Sequence, residues 1–212
     1  LCTDRSVFKM KVKHLPIFIA TGIISVVLFT LCYFNAQKLC SLSVSAILLY
    51  TAPAMVVLMS ALVFKEKITG KKLLALALAL LGCALVTGVF TGGLSLTTKG
   101  MLFGLGAAFF YALYSIFSRY AIERGYGSWT ITFYTFLFCL LASAPLAHWG
   151  LIAQALSSDA SVPVYALLMG LLTGFLAYIF YTKGLEGMES SRAGILASVE
   201  PVVGTIIGTL VF

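Results

Sequence analysis

Residues 190–212 read SSRAGILASVEPVVGTIIGTLVF, and the pair Glu200-Pro201 lies at the centre of this apolar stretch. About 20 apolar residues are enough for a helix to cross the hydrocarbon core of a bilayer. An ionisable side chain at that depth costs roughly 2.5–3.5 kcal/mol or more, and such residues are usually functional. Pro201 has no amide hydrogen, so the carbonyl of Ala197 loses its helical donor. The stretch therefore predicts a membrane helix broken at Pro201 and a functional centre at Glu200.

A related pattern occurs 148 residues earlier, because residues 19–64 align with residues 167–212 without a gap. Both segments have a proline near the middle, and Ala52 occupies the place of Glu200. The identical pairs include Gly22/Gly170, Tyr33/Tyr181, Ser43/Ser191, Pro53/Pro201 and Phe64/Phe212. The shared register predicts an internal repeat within a single domain, residues 1–212, with halves at about 1–91 and 98–212 and a second helix break at Pro53.

The composition indicates an integral membrane protein. Hydrophobic residues make up 61% of the chain and charged residues 10%, and the mean hydropathy is +1.06. The apolar runs are near 20 residues long and lack the alternation of barrel strands, so the predicted fold is an all-α membrane helix bundle. The net charge of +7 comes from residues between apolar runs, which favours an orientation signal over nucleic-acid binding. The cysteines and histidines lack metal-ligand spacing, so neither a metal nor another cofactor is expected.

Seven apolar segments are predicted to cross the membrane, at residues 15–37, 41–64, 72–90, 98–118, 127–148, 163–183 and 192–212. Twelve of the fourteen lysines and arginines lie in the N-terminal arm and in the alternate connections 65–72, 119–124 and 183–192. By the positive-inside rule these segments are expected to be cytoplasmic, in a protein of the plasma (inner) membrane. The acids within them are expected to be solvated or paired, namely Glu66, Glu123, Glu186 and Glu189.

The topology and the repeat together predict a transporter. The first copy of the repeat starts on the basic side, and the second copy, five segments later, runs the opposite way. Inverted repeats of this kind occur in many secondary transporters, whose substrate site lies near the midplane between the two halves. The GxxxG pairs Gly100/Gly104, Gly170/Gly174 and Gly204/Gly208 predict close helix packing. Packing within one bundle is favoured over the alternative, a homodimer interface.

Two stretches resemble one known family. Ala52-Pro53-Ala54, residues 62–67 (LVFKEK) and a new helix from Gly70 are similar to the end of the first repeat in the drug/metabolite transporter superfamily, EamA type. Residues 197–203 (ASVEPVV) resemble the matching stretch of the second repeat. The resemblance implies ten helices in two inverted five-helix repeats, of which this chain would hold the third to the ninth. Lys65 stands where the family commonly has a glycine before Glu66, a departure that puts a tight turn there in question.

The resemblance also implies a substrate cavity lined by helices of both halves. On this chain the candidate lining residues are Glu200, Ser198, Tyr33, Asn35, Tyr111, Tyr114, Ser115, Tyr178 and Tyr181. Tyr111, Tyr114 and Ser115 are spaced i, i+3, i+4 and share one helix face, as do Tyr178 and Tyr181. The alternative for each tyrosine is a packing role with its hydroxyl bonded to water or a carbonyl. The alternative for Glu200 is a protonated acid that hydrogen-bonds a neighbouring helix.

These observations predict a secondary transporter that moves a small metabolite or amphiphile by alternating access, with the bilayer and a small-molecule substrate as its partners. Outward transport is implied by the family resemblance alone. The alternatives are a membrane channel and a non-transporting membrane scaffold protein. A carrier saturates and shows counter-transport, which separates it from both. An intramembrane enzyme would need paired catalytic groups at one depth, and the sequence has none, so an enzyme is not expected.

Overall fold

The computed structural model describes residues 9–86 and 97–211, and every regular element in these ranges is helical. A backbone that crosses lipid must satisfy its own N–H and C=O groups, and a helix does so without a partner strand. The helices are α1 (Val12–Leu39), α2 (Leu42–Leu49), α3 (Ala52–Val63), α4 (Gly70–Val86), α5 (Thr98–Ile122), α6 (Ser128–Ser143), α7 (Trp149–Ser158), α8 (Ser161–Gly187), α9 (Ser190–Ala197) and α10 (Glu200–Val211).

Five stretches of the described residues are long and apolar enough to cross a membrane: α1, Leu42–Val63, α5, Ser128–Leu146 and α8. They coincide with five of the seven predicted segments. The third predicted segment is helical as α4, and its final residues 87–90 lie outside the described residues. The seventh is helical but divided into α9 and α10. The predicted all-α membrane bundle is confirmed.

Two broken helices have the same internal layout. The first consists of α2 and α3 with the break at residues 50 and 51, and the second consists of α9 and α10 with the break at residues 198 and 199. Every start and end in the second pair lies 148 residues after its equivalent in the first. Pro53 and Pro201 each occupy the second position of the helix that follows the break, where a missing amide is tolerated. The breaks therefore come just before the prolines.

The repeat extends to a rarer backbone feature in α1 and α8. Residues Ala20–Val27 of α1 and Met169–Leu176 of α8 are both π-helical. The second stretch starts and ends one residue beyond the 148-residue offset. Because π-helical turns are uncommon and concentrate at functional positions, their occurrence at equivalent places in the two helices supports the repeat.

The lysine- and arginine-rich connections meet at one end of the bundle, called here the basic end. His14 Nδ1 lies 2.9 Å from the hydroxyl of Tyr126, and Arg119 donates 3.0 Å hydrogen bonds to the carbonyls of Leu185 and Met188. Lys72 joins the same group through Glu189, at 2.9 Å. At the opposite end, Thr97 Oγ1 donates to the carbonyl of Leu39 over 3.2 Å. The basic connections that the sequence predicts on one side of the membrane thus lie together at one end of the structure.

Helix α5 lies among the other helices and packs through small residues. Gly104 faces Leu48 of α2 so closely that an added Cβ would lie 2.5 Å from a leucine methyl, and an added Cβ on Gly100 would collide with Cys40 Sγ. Ala107, Ala108 and Ala112 of α5 are fully buried. The Gly100/Gly104 pair is therefore a contact within one bundle. By contrast, an added Cβ on Gly170 or Gly204 would meet no atom within 4 Å among the described residues.

The chain turns tightly between α3 and α4 despite the lysine that replaces the family's glycine. Lys65 has φ of 56°, and among the described non-glycine residues it alone has a positive φ. The amide of Glu66 then returns to the carbonyl of Ser60 over 3.3 Å. The left-handed conformation costs roughly 1–2 kcal/mol for a residue with a Cβ. The turn questioned on sequence grounds is therefore present, in a strained form.

Candidate functional site

A cavity of about 450 Å³ lies where the two helix breaks face each other. Helices α1, α5 and α8 supply the rest of its wall. The lining consists of Phe29, Tyr33, Leu49, Tyr50, Ala52, Pro53, Tyr111, Tyr114, Ser115, Thr173, Ala177, Tyr178, Tyr181, Ala197 and Glu200. Cavities of 300–1,000 Å³ suit small molecules, so this one has room for one metabolite-sized ligand.

Several lining residues are equivalent positions of the two repeat copies. The pairs related by the 148-residue offset are Phe29/Ala177, Tyr33/Tyr181, Leu49/Ala197 and Ala52/Glu200. Such pairing means that the cavity is shared between the copies. It is the arrangement expected for a site at the interface of two repeats.

The break in each helix brings polar backbone to this cavity. Pro53 and Pro201 deprive the carbonyls of Leu49 and Ala197 of their usual helical donors, and both of these residues line the cavity. Glu200 is the first residue of α10, where the partial positive charge of a helix N-terminus favours a carboxylate. The cavity therefore presents an acid and two carbonyls that lack their helical amide donor, within a wall that is mostly apolar and aromatic.

Seven of the nine candidate lining residues meet in this cavity, and two do not. Glu200, Tyr33 and the candidates of α5 and α8 all line it, as does Pro53. Asn35 lies outside the lining, and its side-chain amide donates to the carbonyl of Leu31 over 2.7 Å. Ser198 also lies outside it, buried at the helix break with Oγ 3.5 Å from the carbonyl of Gly194. Pro201 is buried and is likewise outside the lining.

The tyrosines of the cavity fall into two groups by the state of their hydroxyls. Those of Tyr114 and Tyr181 are paired across the α5–α8 contact, with Thr182 Oγ1 and Ser115 Oγ respectively, each at 2.7 Å. Tyr114 and Tyr181 therefore line the cavity and also pack between helices with their hydroxyls bonded within the protein. The hydroxyls of four others have no hydrogen-bond partner among the described residues, namely Tyr33, Tyr50, Tyr111 and Tyr178. The second group is available to a ligand.

At the basic end of the bundle, Glu66 of the first repeat caps a helix of the second. The Glu66 carboxylate accepts hydrogen bonds from the amides of Ser190 (2.9 Å) and Ser191 (3.1 Å) and from the Ser191 hydroxyl. These are the first residues of α9, whose amides have no partner within the helix. Lys72 lies 3.9 Å from the same carboxylate and 2.9 Å from Glu189. The contact through Lys72 lowers the pKa of Glu189 below its ordinary value.

A second set of contacts closes the basic end beside this cap. Glu186 accepts from the amide of Ser128 over 2.8 Å and pairs with Lys183 over 2.6 Å. Gly194 of α9 touches α3 beside the cap, where an added Cβ would lie 3.2 Å from Val56 Cβ. Of the loop acids predicted to be solvated or paired, Glu66 and Glu189 are thus paired across the two repeats. Glu186 and Glu123 are paired within the second repeat.

Residues 2–88 and 98–212 match the EamA-like transporter family. The chain belongs to this family. The resemblance noted in the two proline-containing stretches is thereby confirmed, and with it the assignment to a family of transporters. Together with the membrane-length helices, the match identifies an integral, multi-pass membrane protein.

Curated relatives of this EamA-like chain are also described as transporters. It is 29% identical over 180 residues to an uncharacterized transporter of Archaeoglobus fulgidus, an alignment that covers 85% of this chain and 62% of the relative. It is 25% identical over 219 residues to the uncharacterized transporter YetK of Bacillus subtilis, covering 99% and 64%. The chain therefore spans less than two thirds of the length of these relatives. Both relatives are named as transporters.

A solved crystal structure shares the fold. It superposes with a TM-score of 0.74 at 19% identity, over 95% of this chain and 68% of the other. At that identity the likeness concerns the fold alone. It supports the helix arrangement described above.

Sequence reasoning about the EamA-like site missed Tyr50, Phe29 and Thr173. Tyr50 is the equivalent of Ser198 under the 148-residue offset, and it lines the cavity where Ser198 does not. Phe29 is the equivalent of Ala177, which also lines the cavity. The repeat therefore held the signal for Tyr50, whose equivalent Ser198 is a candidate, but not for Phe29, because Ala177 is not one. For Thr173 there was no such signal, since its equivalent Ser25 is fully buried elsewhere.

Proposed function

We propose that this protein is a secondary transporter that exports a small metabolite or amphiphile by alternating access. The observation that carries the proposal is the pairing of equivalent positions in the cavity wall, most clearly Tyr33 with Tyr181 and Ala52 with Glu200. A site shared by two inverted copies can be exposed to either side by exchanging the conformations of the copies. A pore needs no such division, so the pairing favours a carrier over a channel.

The contacts at the basic end fit one state of such a cycle, with that end closed. Glu66 holds the start of α9, and Gly194 of α9 lies against Val56 of α3. We infer that these contacts separate when the cavity opens toward the basic end. By the positive-inside rule that end faces the cytoplasm of a cell bounded by this membrane.

Substrate and mechanism are tested in proteoliposomes containing the full-length protein. Uptake of labelled amino acids, amines and nucleosides is screened first. For a carrier, we expect saturable uptake that accelerates when the vesicles are preloaded with the unlabelled compound. Uptake that neither saturates nor responds to preloading would support the channel, and no uptake of any compound would support the scaffold.

The closed state is tested by a reversible cross-link between α3 and α9. Val56→Cys with Gly194→Cys, in a protein whose five native cysteines are replaced, brings two Cβ atoms close to the 3.5–4.5 Å of a disulfide. Oxidation should stop transport and reduction should restore it, because the basic end can no longer open. The two single-cysteine variants under the same oxidant are the matched controls. Full transport by protein shown to be cross-linked would contradict alternating access through this contact.

A further inference from the structure

We infer that the substrate of this cavity is a small organic cation that carries an aromatic or other flat apolar group. The inference rests on the proposed transport function and specifies the chemistry of its site. Its basis is the combination of one acid, a wall of aromatic rings and the absence of any basic side chain from the described lining.

The charge of the cavity favours a cation. Glu200 is the one acidic or basic residue among the described residues that line it. Within residues 9–86 and 97–211, the Glu200 carboxylate has neither a hydrogen bond nor an ion pair. Glu200 is exposed, so its carboxylate is open to a ligand of opposite charge. An anionic ligand would be repelled by this acid and would meet no basic side chain among the described lining residues.

The aromatic residues supply a second attraction for the same kind of ligand. Phe29 stacks on Tyr33 at 5.8 Å between ring centroids and meets Tyr111 edge-on at 5.5 Å. On the other side, Tyr178 packs edge-on against Tyr114 at 4.8 Å. Fixed rings around an acid allow cation–π contact, worth about 0.5–1 kcal/mol at exposed sites and about 2 kcal/mol or more when desolvated.

The positions of the acid and the free tyrosines agree with this assignment. Glu200 lines the same cavity as Tyr50, Tyr111 and Tyr178. None of those three hydroxyls has a hydrogen-bond partner among the described residues. A cation beside Glu200 would therefore have ring faces within reach on several sides. Because the volume is about 450 Å³, the ligand is limited to one small molecule.

A pair of isosteric probes tests the charge requirement directly. Benzyltrimethylammonium and neopentylbenzene have the same shape and differ in the central atom, nitrogen or carbon, and so in charge. Binding of each to the full-length protein in lipid nanodiscs is measured by titration calorimetry, with benzenesulfonate as the anionic probe. We expect the ammonium compound to bind at least tenfold more tightly than either. Equal or tighter binding of the neutral or anionic probe would overturn the inference.

Matched variants assign the binding to the acid and to the rings. Glu200→Gln should weaken binding of benzyltrimethylammonium at least tenfold, while Glu200→Asp, which keeps the charge, should retain most of it. Tyr178→Phe keeps the ring and should bind nearly as wild type, whereas Tyr178→Leu should bind several-fold more weakly. Glu123→Gln in a loop and Tyr165→Leu on the exposed face of α8 are controls without effect. Unchanged affinity in folded Glu200→Gln protein would overturn the inference.

A further measurement distinguishes failure of the cation inference from failure of the transport proposal. Counterflow of labelled benzyltrimethylammonium is measured in the same preparation. If the ammonium probe binds through Glu200 but is not exchanged across the membrane, the cation site stands and the transport proposal fails. If other compounds are exchanged and the ammonium probe neither binds nor competes, transport stands and the cation inference fails.

Discussion

The two broken helices have the same backbone layout but different chemistry. In the first, α2 begins with its own cap, because Ser41 Oγ accepts from the amide of Val44 over 3.3 Å. In the second, the start of α9 is capped from the other repeat by Glu66. After the break, α3 begins with Ala52 and α10 with Glu200. The two broken helices thus have the same geometry but differ in two ways. Only the second carries the acid, Glu200, and only the second is capped by a residue of the other repeat, Glu66.

The largest expected effect comes from removing the acid that distinguishes the two helices. Glu200→Gln preserves shape and hydrogen bonding but cannot ionise, and it should lower kcat/KM for transport by about 100-fold, equivalent to about 2.7 kcal/mol. Initial rates in proteoliposomes measure the loss, and elution as a monodisperse peak in detergent shows that the protein is folded. Transport by Glu200→Gln at the wild-type rate across pH 5.5–8.5 would make the acid a structural group.

Moving the acid to the equivalent position sharpens the same comparison. Ala52 and Glu200 line one cavity from opposite breaks, so Ala52→Glu combined with Glu200→Ala returns a carboxylate to the cavity. We expect at least tenfold more transport from the double variant than from Glu200→Ala alone. Equal rates for the two would show that the copies are not interchangeable at this position.

The next effect concerns the two caps. Glu66→Ala should destabilise the protein by about 2 kcal/mol, since hydrogen bonds to a charged group contribute about 1.5–3 kcal/mol. Ser41→Ala removes a single neutral cap and should cost about 1 kcal/mol. Equilibrium unfolding in detergent gives both free energies. Glu123→Ala, which removes the i,i+4 pair with Arg119 at the end of α5, is the control. A loss for Glu66→Ala no greater than for Ser41→Ala would contradict a cap that joins the repeats.

A smaller effect should appear as a pH dependence at the same cap. The pKa of Glu189 is lowered from 4.5 in the folded state, chiefly by Lys72. A group with a lowered folded-state pKa adds stability that is complete above its unfolded pKa and is lost as the pH falls through the folded value. Lys72→Met should therefore lower Tm more at pH 7 than at pH 3.5. A Tm difference that stays constant across this range would show that the Lys72–Glu189 charge pair contributes nothing.

Sequence patterns predicted the parts of this structure that depend on composition and on the repeat. Apolar length predicted the five membrane-length stretches, and the shared proline register predicted both breaks, because a missing amide acts locally. The pairing of Glu66 with α9 could not be predicted, since it joins residues 124 and 125 positions apart through a tertiary contact. The positions of Asn35 and Ser198 outside the cavity lining could not be predicted either. Each is polar and on a suitable helix, yet each has a local backbone partner that the spacing does not reveal.

The smallest expected effect lies in the turn that positions Glu66. Lys65 adopts φ of 56°, a conformation that glycine reaches without a Cβ penalty of about 1–2 kcal/mol. Glycine also loses about 0.5–1 kcal/mol more conformational entropy on folding, which offsets part of the gain. Lys65→Gly should therefore stabilise the protein by about 0.5–1 kcal/mol, whereas Lys65→Ala keeps the Cβ and should not. Equilibrium unfolding of the two variants compares them directly. A loss of stability in Lys65→Gly would mean that the lysine side chain, rather than the backbone conformation, supports the turn that carries Glu66 to the second repeat.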